Sequence, residues 1–244
     1  MKKAKRINNM ISIVMNTYKE NPKFLIESVN SILMQKDVDI ELILSTVKGD
    51  SSLDVLKDFN NITYCISDNP GIYNQLNNAL NYVSGDWFSY ASSNDVYKFC
   101  KSKDELDICN KNNKGVCYSA YLKTDKNLNV IKKKKLTPKY KYKTHLTKNF
   151  VSDVSLVHVG LLNKYGPFNE DFGNYAFWDF WLRIAEGEGE DVFIYNNKPE
   201  WFYRITDNSR HVRRKKNKAW QKRDTKNRKN MLSFHIDKKD KKDK

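Results

Sequence analysis

An apolar run, Trp87-Phe88-Ser89-Tyr90-Ala91, stops at Ser92-Ser93-Asn94-Asp95 and continues as Val96-Tyr97. This is the pattern of a buried strand that ends in a site. Asp95 reads as a metal ligand or as the first residue of an ordinary turn. Further along, in AFWDFWLR, Asp179 precedes Arg183 by four residues. On a helix that spacing makes an ion pair. The four histidines, His145, His158, His211 and His235, are scattered and suggest no metal cluster.

The elements that must position these groups are legible as patterns. MISIVMNT is an apolar run with β-branched residues, a buried strand. NPKFLIESVNSILMQ follows as a helix, with Asn21 as N-cap and Pro22 at the first position. Phe24, Leu25, Val29, Ile32 and Leu33 share one face of it. IELILST is a second strand, SSLDVLKDF a short helix opened by serine, and ITYCIS a third strand. Ile72, Leu76, Ala79, Leu80 and Val83 keep helical spacing, with Gly85 as the terminating glycine. DWFSYA is the fourth strand.

Such alternation predicts an α/β fold, a mainly parallel sheet covered by helices on both faces. Ligands bind at the carboxyl ends of such strands. Here those ends are Asn16-Thr17-Tyr18, Ser45-Thr46-Val47, Ser67-Asp68-Asn69 and Ser92 to Asp95. The second half reads less regularly. GVCYSAYLKTDKNLNVIKK is a hairpin turning at Asp125-Lys126-Asn127, and KKKKLTPKYKYKTH a loop. DVSLVHV is a strand, AFWDFWLRIAEG an amphipathic helix, and DVFIYNN and WFYRIT are two late strands.

At ISIVMNTYKENPKFLIESVNSILMQ, ELIL, NPGIYNQLNNALNYVSGDWFSYASSNDVY, LLNKYGPFNEDF with WDFWLR, and WFYRITDNS, the chain resembles the family 2 glycosyltransferases, which have the GT-A fold. The likeness runs from about residue 10 to residue 209, taken as one domain, and leaves 210–244 as a basic extension, in part helical. It implies transfer of a sugar from a nucleotide-sugar to an acceptor hydroxyl, with inversion. A divalent cation, Mn²⁺ or Mg²⁺, would bridge the donor's phosphates as a Lewis acid. It needs few protein ligands because the phosphates supply the rest. A carboxylate would take the acceptor proton.

Residue by residue, the resemblance makes Asp95 the metal ligand, with Asn94 beside it and Ser92 near a ribose hydroxyl. It implies Thr17, Tyr18 and Thr46 at the nucleotide, and Tyr73, Asn74 and Asn77 at a helix N-terminus near the donor. Arg204 faces the pyrophosphate or a surface carboxylate. Three positions depart from the family's acids. Thr46 stands where an aspartate contacts the base, with Asp50 able to substitute if its loop folds back. Ser92-Ser93-Asn94-Asp95 keeps one carboxylate of the metal motif, so the cation is expected to bind together with the nucleotide-sugar. Phe177 stands at the base position. Asp179, two residues on, is the nearest carboxylate, but two positions turn a helix by roughly 200°. It is base or Arg183 partner, with Glu170 and Asp171 as fallbacks. The alternative function is a degraded GT-A domain that binds nucleotide-sugar, glycan or a partner without turnover.

Composition bounds the rest. With 244 residues, 39% hydrophobic, the chain can build one large core. Cys65, Cys100, Cys109 and Cys117 lack metal spacing and read as reduced packing thiols of a cytoplasmic protein. MISIVM is too short for a secretory core, and no apolar stretch approaches a membrane span. The net charge is +15. Residues 210–244 hold 16 Lys/Arg against 4 Asp/Glu, a net of +12, which leaves +3 for residues 1–209. That tail can pack back as a helix through Trp220 and MLSF. It can also touch an anionic membrane near a lipid-linked or glycan acceptor. Nucleic acid ranks last among these partners.

Overall fold

The computed structural model describes residues 9–68, 71–207, 209, 212 and 215–242. Asn69 and His211, which figure in the sequence expectations, lie outside them.

Strands β1 (Ile11–Asn16), β2 (Ile40–Val47), β3 (Ile62–Ser67) and β4 (Trp87–Ser92) form the parallel half of one curled sheet. β1 is buried along its whole length, which is why its sequence is continuous rather than alternating. The sheet continues through β8 (Leu156–His158), β6 (Val116–Thr124), β9 (Phe193–Arg204) and β5 (Val96–Tyr97), with β7 (Val130–Lys134) paired to β6. The two expected late strands are one. β9 runs through Pro199, and its pairing with β6 shifts register around Ser119, Ala120 and Tyr121. A bulge absorbs the proline that the pattern reads as a break.

Helix α1 (Pro22–Leu33) is capped by Asn21, whose side chain accepts from the Lys23 and Phe24 N–H groups. Leu25, Val29 and Ile32 are its buried apolar stripe. Helix α2 (Ile72–Ala79) ends earlier than expected, in a 3₁₀ turn over Leu80–Tyr82. Gly85 is not its cap. A Cβ there would stand 2.5 Å from the Met10 carbonyl oxygen and 2.9 Å from Ser12 Oγ. Glycine is needed because the chain enters β4 pressed against the start of β1. The short helix after β2 is a 3₁₀ turn, Ser51–Leu56, capped by Asp50 rather than by serine.

Three helices were not expected: α3 (Lys101–Asn112), α4 (Tyr142–Thr147), which begins in the segment read as a loop, and α5 (Val159–Tyr165). α3 is polar in sequence because its buried face carries an ion pair, Lys101 Nζ to Glu105 at 2.7 Å, with Ser119 Oγ donating to the same carboxylate. Helix α6 (Ala176–Glu188) is buried along most of its length. Helix α7 (Lys218–Lys242) lies on it, with Met231 packed among Phe172, Trp178 and Leu182.

Gly85→Ala is expected to lower unfolding stability by about 1–3 kcal/mol, the usual cost of overpacking. A urea midpoint unchanged from wild type would contradict the close approach of this loop to β1.

Candidate functional site

The carboxyl ends of the parallel strands meet at one rim, with β1 at its centre. In register, Asn16 lies between Ser45 of β2 and Ser92 of β4. Asn16 Nδ2 donates to the Ile72 carbonyl at 2.7 Å, which ties the start of α2 to this rim. Asn16 Oδ1 and the Thr17 hydroxyl are buried with no partner among the described residues. A buried polar atom without a partner costs about 1–3 kcal/mol, so two at a strand terminus mark a place where a ligand can satisfy them.

On the β2 side the loop folds back. Asp50 accepts from Thr46 Oγ1 (2.8 Å), Ser52 Oγ (2.8 Å), Ser52 N (3.1 Å) and Lys19 N (3.1 Å). Burial opposes its ionisation, but these hydrogen bonds outweigh burial and hold the carboxyl below its usual range. Thr46 is fully buried and engaged with Asp50. Tyr18, beside them, is exposed, with Lys19 Nζ over its ring.

On the β4 side, Ser92 Oγ donates to Asn94 Oδ1 at 2.9 Å and Ser93 Oγ to Glu20 at 3.0 Å. The Asp95 N–H returns to the Ser92 carbonyl, so a turn is present. Yet the Asp95 carboxyl points inward. It is 4% exposed and accepts the Arg204 backbone N–H at 2.9 Å. Burial pushes its pKa up to about 8, against that bond and the Arg204 charge, and the charges of Glu20 and Asp153 push the same way. Arg204 is itself buried. Its Nη2 meets Glu27 at 2.6 Å, its Nη1 the Lys126 carbonyl at 3.1 Å, and its guanidinium covers Phe24. Its Nε has no partner among the described residues.

Asp153 drew no notice in the sequence, where it starts an apolar strand pattern. It stands half-buried near Asp95 and Tyr121. The next residue is fixed firmly: the Val154 carbonyl accepts Lys101 Nζ and Ser89 Oγ, each at 3.0 Å.

The α6 side of the rim is aromatic. Phe177, at the expected base position, is buried against Tyr90 (5.2 Å), Phe168 (4.5 Å) and Tyr73 (6.2 Å). Tyr73 is thus a core ring. The Asn77 amide exchanges two bonds with the Phe168 backbone, which makes it a brace for that segment. Asn74 stays exposed at the helix start.

Asp179 is turned away from the rim. Its Oδ2 takes Arg183 at 2.8 Å, the pairing its spacing predicts, and its Oδ1 takes His235 Nε2 of α7 at 3.0 Å. His235 Nδ1 meets Glu186 at 2.5 Å, and Glu186 also accepts the Tyr142 hydroxyl. An imidazole between two carboxylates bonds both well only when both nitrogens carry protons. Burial opposes that charge, but Asp179 and Glu186 outweigh burial and raise the His235 pKa. Among the described residues no three His, Cys, Asp or Glu side chains form a group that could hold a metal. The chemistry of the Asp95 corner fits a cation that arrives with phosphate oxygens, since the protein alone offers too few ligands.

The sequence profile of Glycosyl transferase family 2 matches residues 12–165. The chain belongs to glycosyl transferase family 2. An uncharacterized glycosyltransferase of Rickettsia conorii is 27% identical over 190 residues, 72% of this chain and 31% of that protein. One of Methanocaldococcus jannaschii is 24% identical over 200 residues, 73% of this chain and 66% of that protein. The chain thus spans about a third of the length of the Rickettsia conorii and Rickettsia felis relatives. In fold it resembles Staphylococcus aureus TarS in complex with UDP, with a TM-score of 0.65 at 16% identity, covering 81% of this chain and 61% of that one. The mannosyltransferase PcManGT of Pyrobaculum calidifontis, in complex with GDP-Man and Mn²⁺, gives 0.59 at 11% identity, covering 84% and 59%. These likenesses identify the family's GT-A fold.

Two measurements test the Asp179 arrangement. Asp179→Asn leaves a buried imidazolium short of a charge partner and should lower stability by about 3–5 kcal/mol. His235, with its folded pKa raised above the usual ~6.5, stabilises fully below that value and loses its contribution as pH rises through the raised one. Wild type should therefore lose more stability than His235→Gln in urea melts taken at about pH 6 and about pH 9. Parallel losses in the two proteins would contradict a charged His235.

Proposed function

We propose that this glycosyltransferase domain moves a sugar from a nucleoside-diphosphate sugar to an acceptor hydroxyl, with inversion, and that Mn²⁺ or Mg²⁺ binds together with the donor. The observation that carries this reading is the pair of unpartnered buried atoms, Asn16 Oδ1 and Thr17 Oγ1, in the middle of the rim. The structural neighbours add support: the TarS structures hold UDP and UDP-GlcNAc, and that of PcManGT holds GDP-Man and Mn²⁺.

In this reading Thr17, Tyr18 and the Thr46–Asp50 pair hold the nucleotide. Ser92 and Asn94 take the ribose, and Asn74 the donor sugar. Asp95 is the one protein carboxylate for the cation, and Arg204 sets the charge around it. When bound, the cation would help the diphosphate leave. Asp95, whose burial favours the protonated form, must give up its proton to act as a ligand. Asp153, half-buried beside Asp95 and fixed through Val154, takes the acceptor proton in place of Asp179, whose two oxygens are engaged. Tyr73, Asn77 and Asp179 then belong to the scaffold. The acceptor is a glycan or a lipid-linked molecule.

A second reading, binding without turnover, is favoured by one observation. The base position holds Phe177 inside an aromatic wall. Release of nucleoside diphosphate separates the two.

A thermal-shift panel of UDP-, GDP- and dTDP-sugars, each with and without Mn²⁺, tests the leading reading. One donor should raise the melting point, by more with Mn²⁺, and Asp95→Asn should abolish the Mn²⁺-dependent part. Thr17→Val should lower the shift itself. If no donor moves the melting point, the proposed reading fails.

A further inference from the structure

The small net charge of residues 1–209 conceals a second basic region. Between Lys126 and Ser152 there are nine lysines and no Asp or Glu. That stretch carries +9, so the rest of residues 1–209 carries −6. It begins in the turn of hairpin β6–β7, follows β7 and reaches α4. β7 is an edge strand that pairs with β6 alone among the described strands. Lys132, Lys133 and Lys135 are exposed on and just after it.

Helix α7 touches the far end of this basic stretch, at α4. Arg228 Nη2 donates to the Thr147 carbonyl at the end of α4, at 3.0 Å. Lys222, Arg223, Lys226 and Lys229 are exposed on the same helix. The two basic segments, 87 positions apart at their nearest named lysines, Lys135 and Lys222, therefore meet in space at α4.

Lysines on an edge strand discourage pairing with other sheets, and that alone would account for one or two. The edge also carries Val130 and Ile131, 56% and 61% exposed, directly before four consecutive lysines. A nucleic-acid backbone offers such residues no partner. The interface of a bilayer does: apolar side chains enter the headgroup boundary while lysine ammonium groups stay at the phosphates. The unpaired backbone groups of β7's outer side would keep the insertion shallow.

We propose that this edge docks the protein on an anionic lipid surface, with β7 of the hairpin as the contact that enters the headgroup layer and α7 as a supporting cationic flank. The docked hairpin would also hold the rim close to the lipid. Its turn accepts Arg204 through the Lys126 carbonyl, and the Arg204 N–H bonds Asp95. The inference concerns binding alone and stands or falls apart from sugar transfer.

The test is co-sedimentation of the full chain with vesicles of phosphatidylcholine, with and without phosphatidylserine, across a salt series. Wild type should bind the phosphatidylserine vesicles, bind the neutral ones weakly, and lose binding as salt rises. Each cation near such a surface strengthens binding severalfold, so Lys132→Glu with Lys133→Glu should weaken it roughly tenfold or more. Ile131→Ser, which changes no charge, should weaken it at low salt, where wild type binds. These surface variants should melt as wild type does, which separates lost docking from lost fold. Lys226→Glu with Lys229→Glu should weaken it less than the hairpin pair. The proposal is overturned if phosphatidylserine vesicles are not bound, if the hairpin variants bind as wild type, or if the α7 pair has the larger effect. Tighter binding to poly(U) than to the vesicles at equal salt would overturn it as well.

Discussion

One hydrogen bond organises the rim. The Arg204 N–H at the end of β9 reaches the Asp95 carboxyl just after β4. Between those strands lie β8 and β6, so the sheet must curl for the two to meet. Pairing of β5 with β9 closes the same gap by backbone bonds. The carboxyl is buried as a consequence, and burial is what moves its pKa to about 8. A lone acid held this way favours its neutral form when no cation is near. The curl of the sheet and the raised pKa of Asp95 are thus linked.

Buried charges act as fasteners elsewhere. Lys101 joins Glu105 within α3 and also holds the Val154 carbonyl, so one ammonium ties α3 to the segment bearing Asp153. Asp179 joins Arg183 along α6 and His235 across to α7. Such pairs gain little net stability over apolar packing, but breaking one by removing a partner is costly. Each therefore fixes which elements meet more than how strongly the chain folds. The apolar core, from β1 through α1 and α6, supplies the main driving force.

The parallel half was legible because its inner strands are buried on both faces and its helices carry single apolar stripes. Ile11–Asn16 and Leu25-Val29-Ile32 are plain cases. α3 escaped notice because Lys101 and Glu105 look solvent-exposed in sequence and are buried in pairs. β9 looked like two strands because Lys198-Pro199 resembles a turn, and its bulge depends on β6, about 80 residues away. Around the rim, the strand ends were visible but their partners were not. Asp179 and His235 are 56 positions apart, and the Thr46–Asp50 contact depends on a loop folding back. Local patterns report periodicity and capping; they carry no record of contacts closed by tertiary folding.

The central claim is that Asp95 and its polar neighbours make a cation site completed by the donor's phosphates. Titration calorimetry with Mn²⁺, run first on the protein alone and then with the nucleotide-sugar that raises its melting point, tests it most directly. The account predicts negligible heat of binding without nucleotide and saturable, Asp95-dependent binding with it. Tight Mn²⁺ binding to the protein alone would contradict it.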